Sequence, residues 1–330
     1  MEAQAVVWTG PREVQVQSIE IEPPESGEIL IEHAISLVSP GTEAEWLASP
    51  ESHIVLGTTF PFVPGYSRVG RIVEVGEGVS GWNVGDRVVA PFDRLGRPLG
   101  AHATHSVARA ADVDEIPESV SFEQAAFFLL GQTAGFVVAL ADVQPGDAVA
   151  IVGQGPIGNL AVQFAREAQA ARIVALDLVE SRRGMARAAG ATDALDPTDD
   201  EALSHLLEES GGITKTIDLS GSPRGTDLAI RLAGPLGTVI LSTGFGGRME
   251  LDYGAIFVKG LHLIGGFVNS RPALARSATQ DYLRLLSEGR LNVSSLVSPA
   301  FPPAQAPAVF SRVLERDRSL VAPLFDWREA

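Results

Sequence analysis

The sequence predicts an α/β protein in which a doubly wound parallel sheet is joined to a β-rich domain. Short apolar runs separated by Gly and Pro fill residues 1–121, a pattern typical of strands and turns. From residue 147 onward, strand-like runs alternate with amphipathic helices, which is the order of a parallel sheet with helical crossovers. The length of 330 residues exceeds one typical core, so two domains are expected.

Changes in hydrophobic periodicity give the expected domain boundaries. We expect the β-rich domain over residues 1–121 and again over 272–330, where the chain returns to mixed structure. The residues between them, 122–271, are expected to form the doubly wound domain. Their first segment is helical, with Ser121 as a plausible N-cap.

Composition narrows the class of protein. The chain is 45% hydrophobic and 20% charged, with a net charge of −16, and this acidic excess disfavours nucleic-acid and anionic-membrane partners. It contains no cysteine, which excludes disulfides and thiolate metal sites and is compatible with a reducing compartment. Neither a signal peptide nor an apolar run of about 18 residues is found, so a cytoplasmic location is expected.

The strongest motif is GQGPIG at residues 153–158, between a predicted strand and an amphipathic helix. In this setting the first glycine permits a tight turn, the second lets the backbone approach a diphosphate, and the third lets helix and strand pack closely. Free N–H groups at the helix start attract the diphosphate. The motif therefore predicts a Rossmann domain that binds a dinucleotide. The expected contacts are Gly153, Gly155, Pro156, Ile157 and Gly158.

An acidic residue ends the next predicted strand and indicates which dinucleotide is bound. Asp177 lies 24 residues after Gly153, close to the usual spacing of about 20 residues. A carboxylate there accepts hydrogen bonds from ribose hydroxyls and repels a 2′-phosphate, which favours NAD(H). Arg182 and Arg183 follow closely and could hold a phosphate, so Arg182 is a further cofactor-binding candidate and NADP(H) is not excluded.

Later loops are expected to complete the cofactor site, because ligands of open α/β sheets collect at the carboxyl ends of the strands. An ordinary loop role is the open alternative for each of these residues. The candidates are Ser220, Thr243, Gly244, Phe267 and Val268.

Four passages give the whole chain a resemblance to the medium-chain dehydrogenase/reductase family. They are SPGTE (39–43), VPGYSRVGRIVEVGEGV (63–79), GDRVVAPF (85–92) and VGQGPIG (152–158). The resemblance implies that the β-rich domain is a GroES-like catalytic domain and that the protein is an oxidoreductase acting on a small molecule. Together with GAHATHSV (100–107), the first two passages resemble more narrowly a bacterial subgroup that includes bacteriochlorophyllide dehydrogenase, from which no substrate is inferred.

The sequence departs from the zinc-dependent members of that family at the metal positions. Pro40 stands in place of the first ligand, a cysteine, and Tyr66 stands in place of a histidine ligand. The third ligand would fall at residues 129–131, where no side chain can bind a metal. The loop 93–100 replaces a four-cysteine zinc lobe. We therefore expect a member of the family that lacks zinc.

The resemblance also indicates which side chains could act without zinc. Thr42 matches the hydroxyl that relays the alcohol proton in zinc-dependent relatives. Tyr66 occupies a position that points into the cleft, and its phenol could protonate a developing alkoxide. Of His102 and His105, at most one faces the cleft if the segment is extended, and histidine exchanges protons near pH 7. Glu43 could orient one of these groups. The expected catalytic residues are Thr42, Glu43, Tyr66 and His102.

Structural roles are the open alternative for these residues. Each histidine could belong to the core or surface, Thr42 could form a turn, and Tyr66 could be a core residue. Glu43 could be the partner of Arg68 or of another cation. His33, on a predicted strand, is interpreted as structural.

Three functions stay open at this stage. The first is an NAD(H)-dependent dehydrogenase that interconverts a secondary alcohol and a ketone on a small metabolite without zinc. The second is an enoyl or quinone reductase, which the loss of zinc favours but Asp177 disfavours, since most such relatives are similar to NADPH users. The third is a catalytically silent NAD(H)-binding sensor. The strand 261–267 resembles one that family members pair across a two-fold axis, so a homodimer is expected.

Overall fold

The structure is a computed structural model in which two compact units each carry a sheet. Unit 1 comprises Met1–Leu129 and Leu296–Ala330, and unit 2 comprises Leu130–Ser295. The structure describes residues 1–49, 58–209, 213–242, 248–317 and 319–330.

Unit 1 is mostly β-structure, as the short apolar runs predict. Its strands are β1 (Glu2–Gly10), β2 (Glu13–Glu20), β3 (Glu28–Leu37), β4 (Ser67–Val75), β5 (Arg87–Ala90), β6 (His105–Arg109), β7 (Asp114–Glu115), β14 (Ala300–Phe301) and β15 (Leu324–Asp326). Its helices are α1 (Pro40–Ala48), α2 (Phe122–Ala125) and α10 (Ala306–Leu314).

The main sheet of unit 1 is built around β3. The strand order is β14-β15-β3-β4-β5-β7, with β6 paired to β3 as well, while β1 and β2 form a separate hairpin. Strand β3 is buried along most of its length because β4, β6 and β15 all pair with it. An aromatic core that includes Trp8, Phe310 and Phe325 packs nearby.

Unit 2 alternates strands and helices, as the sequence predicts. Its strands are β8 (Ala148–Val152), β9 (Arg172–Leu176), β10 (Asp193–Leu195), β11 (Lys215–Asp218), β12 (Thr238–Leu241) and β13 (His262–Gly265). Its helices are α3 (Phe128–Leu140, beginning in the last residues of unit 1), α4 (Pro156–Glu167), α5 (Glu180–Ala189), α6 (Asp200–Glu209), α7 (Pro223–Leu232), α8 (Tyr253–Lys259) and α9 (Pro272–Ser287).

The sheet of unit 2 has the doubly wound order. Its six strands run β10-β9-β8-β11-β12-β13, and every pairing is parallel. The chain first moves outward from β8 and then returns to the other side of it at β11, so the strand order reverses between these two strands. Ligands of such sheets bind at the carboxyl ends of the strands beside this reversal. The predicted fold class, a Rossmann sheet with a β-rich domain, is confirmed.

The second boundary between the units lies at Ser295, whereas the change in periodicity placed it at residue 271. The reason is the packing of helix α9 within unit 2. A Cβ atom at Gly131 would lie 2.2 Å from the ring of Tyr282, and Gln132 donates a hydrogen bond to the Thr279 hydroxyl at 2.8 Å. Close contact between α3 and α9 cannot be inferred from the amphipathic pattern of either helix alone.

No helix within the described ranges has both the length and the hydropathy that crossing a membrane requires.

Candidate functional site

The glycine-rich turn lies at a strand–helix junction in unit 2. Strand β8 ends at Val152, directly before Gly153, and helix α4 begins at Pro156 with Gly155 as its N-cap. Gly153 has a φ of +92°, a left-handed conformation that glycine adopts without strain. A Cβ atom at Gly158 would lie 1.9 Å from the carbonyl oxygen of Gly153, whereas one at Gly155 would meet nothing within 4 Å. Gly158 thus permits close packing, and Gly155 leaves its side of the turn open.

Asp177 lies beside this turn. It directly follows β9 and is 8% exposed. Its Oδ2 atom accepts a hydrogen bond from the Gln154 N–H, and its Oδ1 atom accepts one from the Val179 N–H, each at 2.8 Å. Each carboxylate oxygen keeps a second lone pair. The carboxylate is therefore fixed in orientation and can still accept hydrogen bonds from a ribose.

The two arginines after Asp177 differ in how many hydrogen bonds their guanidinium groups already form. Arg183 donates to Asp196 at 2.9 Å, to Glu180 at 2.6 Å and to the Asp177 carbonyl oxygen at 2.7 Å. Arg182 lies 3.9 Å from the Asp177 carboxylate. Arg182 is thus the better placed of the two to meet a phosphate on a bound nucleotide.

The loop after β11 packs against the turn. A Cβ atom at Gly153 would lie 2.7 Å from the Leu219 carbonyl oxygen and 2.8 Å from the Ser220 Cα atom. The Ser220 hydroxyl donates to Asp218 at 2.7 Å, so the structure brings Ser220 to the edge of the predicted site. Phe267 and Val268 follow the edge strand β13, and Phe267 is exposed. Thr243 and Gly244 lie outside the described residues.

Asp218 is a residue of this region that the motif search missed. Its side chain is fully buried and accepts hydrogen bonds from Thr226 at 2.6 Å and from the Ser220 N–H at 3.0 Å. Burial raises the pKa of this carboxyl group. The available signal is an acidic residue at the end of the predicted strand KTID, similar to the signal that identifies Asp177.

In unit 1, Glu43 and His102 form a buried pair. Both side chains are 0% exposed, and the His102 Nε2 atom lies 2.9 Å from Glu43 Oε2. The Ser39 N–H donates to Glu43 Oε1 at 2.9 Å, at the start of helix α1. On its other side, His102 Nδ1 lies 2.7 Å from the Ser36 hydroxyl, which accepts a hydrogen bond from the Trp327 indole at 2.9 Å. His102 is thus a core residue whose two ring nitrogens are both engaged.

Tyr66 lies next to this pair because of Gly65. Gly65 has a φ of +87°, and a Cβ atom there would lie 2.7 Å from the His102 ring, so the backbone passes directly over the imidazole. The Tyr66 ring packs edge-on against Trp46, with a centroid distance of 5.6 Å. The polar side chains of Ser39 and Thr42 lie near its phenol. Burial, and then the charge of Glu43, raise the pKa of Tyr66.

The structure brings the four predicted catalytic residues together. Thr42 and Tyr66 are partly exposed. Thr42 precedes the buried Glu43 in helix α1, and Tyr66 follows Gly65, whose backbone passes over the His102 ring. Ser39 and Trp46 belong to the same cluster and were missed, because nothing in their local sequence marks them as neighbours of a tyrosine that lies at least 20 residues away.

Arg68 is not the partner of Glu43. Its guanidinium donates to the Phe92 carbonyl oxygen at 3.1 Å, to the Leu99 carbonyl oxygen, and to the Ser106 hydroxyl at 3.2 Å. Burial lowers the pKa of Arg68 to about 10. The partner of Glu43 is therefore the imidazole of His102 and not the guanidinium of Arg68.

The other two histidines of the region have different surroundings. His33 is buried, donates from Nδ1 to the Ala101 carbonyl oxygen at 3.1 Å and accepts at Nε2 from the Ser106 hydroxyl at 2.8 Å. Burial and the charge of Arg68 hold the pKa of His33 well below its usual range, consistent with a neutral structural residue. His105 lies 4.0 Å from Glu32 and is partly exposed.

The positions that bind zinc in related enzymes do not fit a zinc ion in this chain. Pro40 is the first residue of helix α1 and has no donor atom, and residues 129–131 lie in helix α3 with only apolar side chains or none. Tyr66 contributes a protonated phenol, which is a poor ligand for zinc. In the part of the chain that the structure describes, no three carboxylate or imidazole groups cluster as a metal site.

Two family models match the chain. The model described as an alcohol dehydrogenase GroES-like domain matches residues 26–118, and the one described as a zinc-binding dehydrogenase matches residues 156–288. An alcohol dehydrogenase from Geobacillus stearothermophilus is 28% identical over 323 residues, which cover 89% of this chain and 92% of the relative. A (R,R)-butanediol dehydrogenase from Bacillus subtilis (strain 168) is 25% identical over 331 residues, covering 89% and 91%.

Solved structures show the same fold. The crystal structure of 2R,3R-butanediol dehydrogenase from Bacillus subtilis superposes with a TM-score of 0.85 at 23% identity, covering 98% of this chain and 99% of that one. Other structures of this fold include one complexed with NADH and one bound to NADP. The fold alone therefore does not decide between the two cofactors.

Proposed function

The chain belongs to the medium-chain dehydrogenase/reductase family, and we propose that it is a zinc-independent, NAD(H)-dependent enzyme that interconverts a secondary alcohol and a ketone on a small metabolite. One observation carries the proposal. Tyr66, with Thr42 and Ser39 near its phenol, stands where the family resemblance places a zinc-ligating histidine. A proton donor thus lies where zinc-dependent relatives hold the metal that polarises the substrate oxygen.

The residues of unit 2 fit a nicotinamide dinucleotide. The open side of Gly155 and the N-terminus of helix α4 would hold the diphosphate. Asp177 would accept hydrogen bonds from the adenosine ribose, since its carboxylate already lies against the turn. Arg182 and Ser220 border the same turn. When bound, the nicotinamide supplies or accepts a hydride.

The side chains of unit 1 would manage the proton. In ketone reduction, the Tyr66 hydroxyl donates its proton to the substrate oxygen as a hydride reaches the carbonyl carbon, which gives the alcohol. The phenolate left behind regains a proton from solvent, for which the partly exposed hydroxyl of Thr42 can serve as a relay. Burial, and then the charge of Glu43, raise the pKa of Tyr66, so the phenol carries its proton at neutral pH.

The preference for NAD(H) rests on Asp177. A 2′-phosphate would bring negative charge next to a carboxylate that is 8% exposed and already holds two backbone N–H groups. We expect NADH to protect the protein against thermal unfolding much more than NADPH, since a ligand stabilises the state that binds it. Equal protection by the two cofactors would contradict the proposed preference.

Substrate screening tests the reaction. Secondary alcohols with NAD and ketones with NADH are expected to turn over, and Tyr66→Phe should cut turnover about 100-fold or more without weakening NADH binding. Turnover of enones or quinones alone would favour C=C reduction. Tight NADH binding without turnover of either set would favour a sensor. An unchanged rate in Tyr66→Phe would remove this residue from the mechanism.

We also propose that the chain forms a homodimer through the edge of the unit 2 sheet. Among the described strands, β13 pairs only with β12, which leaves one side with free backbone groups. The adjoining helix α8 exposes Phe257 at 72% and Val258 at 82%, and Tyr253 is also exposed. A second copy would cover this apolar surface and extend the sheet.

The oligomeric state tests this assembly. Val258→Glu should convert a dimer to a monomer in analytical ultracentrifugation, because it places a charge in the interface. Val84→Glu makes the same chemical change at an exposed valine of unit 1 and should leave the dimer intact. A monomeric parent protein, or a dimer that survives Val258→Glu, would contradict the proposal.

A further inference from the structure

Two arginines of unit 1 belong neither to the cofactor turn nor to the cluster around Tyr66. Arg71 on β4 and Arg87 on β5 are directly opposite each other in the antiparallel pairing of these strands. Like charges at opposed positions destabilise a sheet. The stability of β4 and β5 therefore does not explain why both positions carry an arginine.

The aromatic ring of Phe122 holds the two guanidinium groups close together. Phe122 is the first residue of helix α2, and the Cζ atoms of Arg71 and Arg87 lie over its ring, 5.6 and 4.6 Å from the centroid. The ring quadrupole attracts a cation in this position, which offsets part of the repulsion between the two charges. Both guanidinium groups are thus oriented before a ligand binds, and this reduces the entropy lost on binding.

Each guanidinium group keeps N–H donors that have no hydrogen-bond partner among the described residues. Arg71 donates to the Gly85 carbonyl oxygen at 2.9 Å. Arg87 donates at 3.0, 3.3 and 2.6 Å to the carbonyl oxygens of Pro117, Glu118 and Val120. Because a guanidinium group carries five N–H donors, at least two remain on Arg87 and at least four on Arg71. The three backbone contacts give Arg87 a structural role, but the single contact of Arg71 leaves most of its donors for a ligand.

The charges of the two arginines are not paired within the part of the chain that the structure describes. No carboxylate oxygen there lies within 4 Å of either guanidinium group. Neighbouring carboxylates belong to Glu32, Glu118 and Glu123. Glu123 is bound instead to Arg328 at 2.8 Å, and the other two are exposed. Burial, and then the charge of Arg71, lower the pKa of Arg87. The pair therefore offers two positive charges to a ligand.

Arg71 and Arg87 line an open cavity of about 540 Å³ together with Phe122 and the loop 118–121. This volume lies within the range of small-molecule sites, about 300–1,000 Å³. We propose that the cavity binds a phosphate dianion, either free phosphate or the phosphate group of a small metabolite. Two planar guanidinium groups match its charge and donate paired hydrogen bonds to its oxygens. The net charge of −16 disfavours a polyanion such as a nucleic acid.

Calorimetric titration at about pH 8, where a phosphomonoester is a dianion, tests this site. Inorganic phosphate and glycerol phosphate are titrated into protein that holds excess NADH, which keeps both probes out of the cofactor turn. Arg71→Gln should weaken the binding of the probes about tenfold or more. Arg12→Gln makes the same change of charge at an exposed arginine of unit 1 and should keep the parent affinity. The probe that binds more tightly to the parent identifies the source of the phosphate group.

Urea unfolding of the same variants separates a binding role of Arg71 from a structural one. Without phosphate, Arg71→Gln should unfold near the parent midpoint, because relief of the repulsion from Arg87 offsets the lost hydrogen bond to Gly85. With excess NADH present, inorganic phosphate should raise the midpoint of the parent and of Arg12→Gln, but not that of Arg71→Gln. A structural arginine would give the opposite pattern, with a lower midpoint in Arg71→Gln and unchanged protection by phosphate.

Several results would overturn the proposal. They are a parent protein that binds neither probe, parent affinity in Arg71→Gln, an equal loss of affinity in Arg12→Gln, and binding of succinate, a dianion without a phosphate group, as tight as that of phosphate. If Arg71→Gln does not fold, Arg71→Lys replaces it, since an ammonium keeps the charge but not the planar fork. Arg71→Lys should weaken phosphate binding severalfold, and parent affinity in this variant also overturns the proposal. Failure of the proposed dehydrogenase function leaves the test intact, because all variants share the same cofactor turn.

Discussion

Replacing Gly65 with alanine tests whether the backbone next to Tyr66 is set by His102. Gly65 has a φ of +87°, and a Cβ atom there would lie 2.7–2.8 Å from three atoms of the His102 imidazole. The imidazole cannot give way easily, because Ser36 and Glu43 hold its two nitrogens and Phe325 packs against it. The substitution therefore combines backbone strain with a collision against a fixed ring.

The two contributions can be separated with a matched glycine. An alanine in the left-handed conformation costs about 1–2 kcal/mol, and overpacking a filled core adds about 1–3 kcal/mol. Gly65→Ala should thus lower the free energy of unfolding by about 2–5 kcal/mol. Gly81 lies in the same unit with a φ of +84° and nothing within 4 Å of a Cβ atom, so Gly81→Ala should show only the strain of about 1–2 kcal/mol.

Urea unfolding followed by far-ultraviolet circular dichroism measures both variants. The free energy is obtained from the midpoint and slope of each transition. Turnover should fall in Gly65→Ala, because the shift of the imidazole or backbone displaces Tyr66, and it should be retained in Gly81→Ala. Equal stability losses in the two variants would refute the packing of His102 on Gly65, and full turnover in Gly65→Ala would refute the dependence of Tyr66 on it.

Three further predictions concern buried or bridging charges. In Asp177→Asn the side chain can accept only one of the two hydrogen bonds from the N–H groups of Gln154 and Val179. Losing a charge-assisted hydrogen bond of about 1.5–3 kcal/mol should weaken NADH binding, measured by calorimetry, about tenfold or more. An equal loss of affinity for NADPH would contradict the role of the charge. Burial raises the pKa of Asp218, so its contribution to stability is greatest below its unfolded-state pKa and declines as pH rises through the folded-state pKa. Asp218→Asn should therefore be more stable relative to the parent at pH 7 than at pH 3.5 in urea unfolding, and the reverse order would argue against the raised pKa. Arg94 lies 2.5 Å from Glu28 and lowers the pKa of that carboxyl group. The ion pair therefore stabilises the fold above the unfolded-state pKa of Glu28, and this stabilisation is lost as pH falls. Arg94→Met should lower the free energy of unfolding by about 1 kcal/mol at pH 7 and leave it unchanged near pH 2.5, whereas a loss that persisted in acid would indicate a packing role for Arg94.

The sequence predicts the parts of this protein that depend on backbone geometry. A glycine-rich turn between a strand and a helix has few conformations that allow close packing, so the GQGPIG motif indicates both the fold and the position of the turn. The acidic residue at the end of the following strand is fixed by the same geometry, and Asp177 lies beside the turn as its spacing indicates. The boundary at Ser295 is less accessible from sequence, because the contacts of Tyr282 and Thr279 with α3 are tertiary.

The polar cluster of unit 1 was only partly accessible from sequence. Resemblance indicates Thr42 and Tyr66, and the proton-exchange chemistry of histidine makes His102 a candidate. The connection from Trp327 to Ser36 spans 291 residues, however, and no local pattern marks a tryptophan that follows the last strand as a hydrogen-bond donor to this cluster. Sequence periodicity reports which face of an element is buried, but not which buried polar atoms will meet.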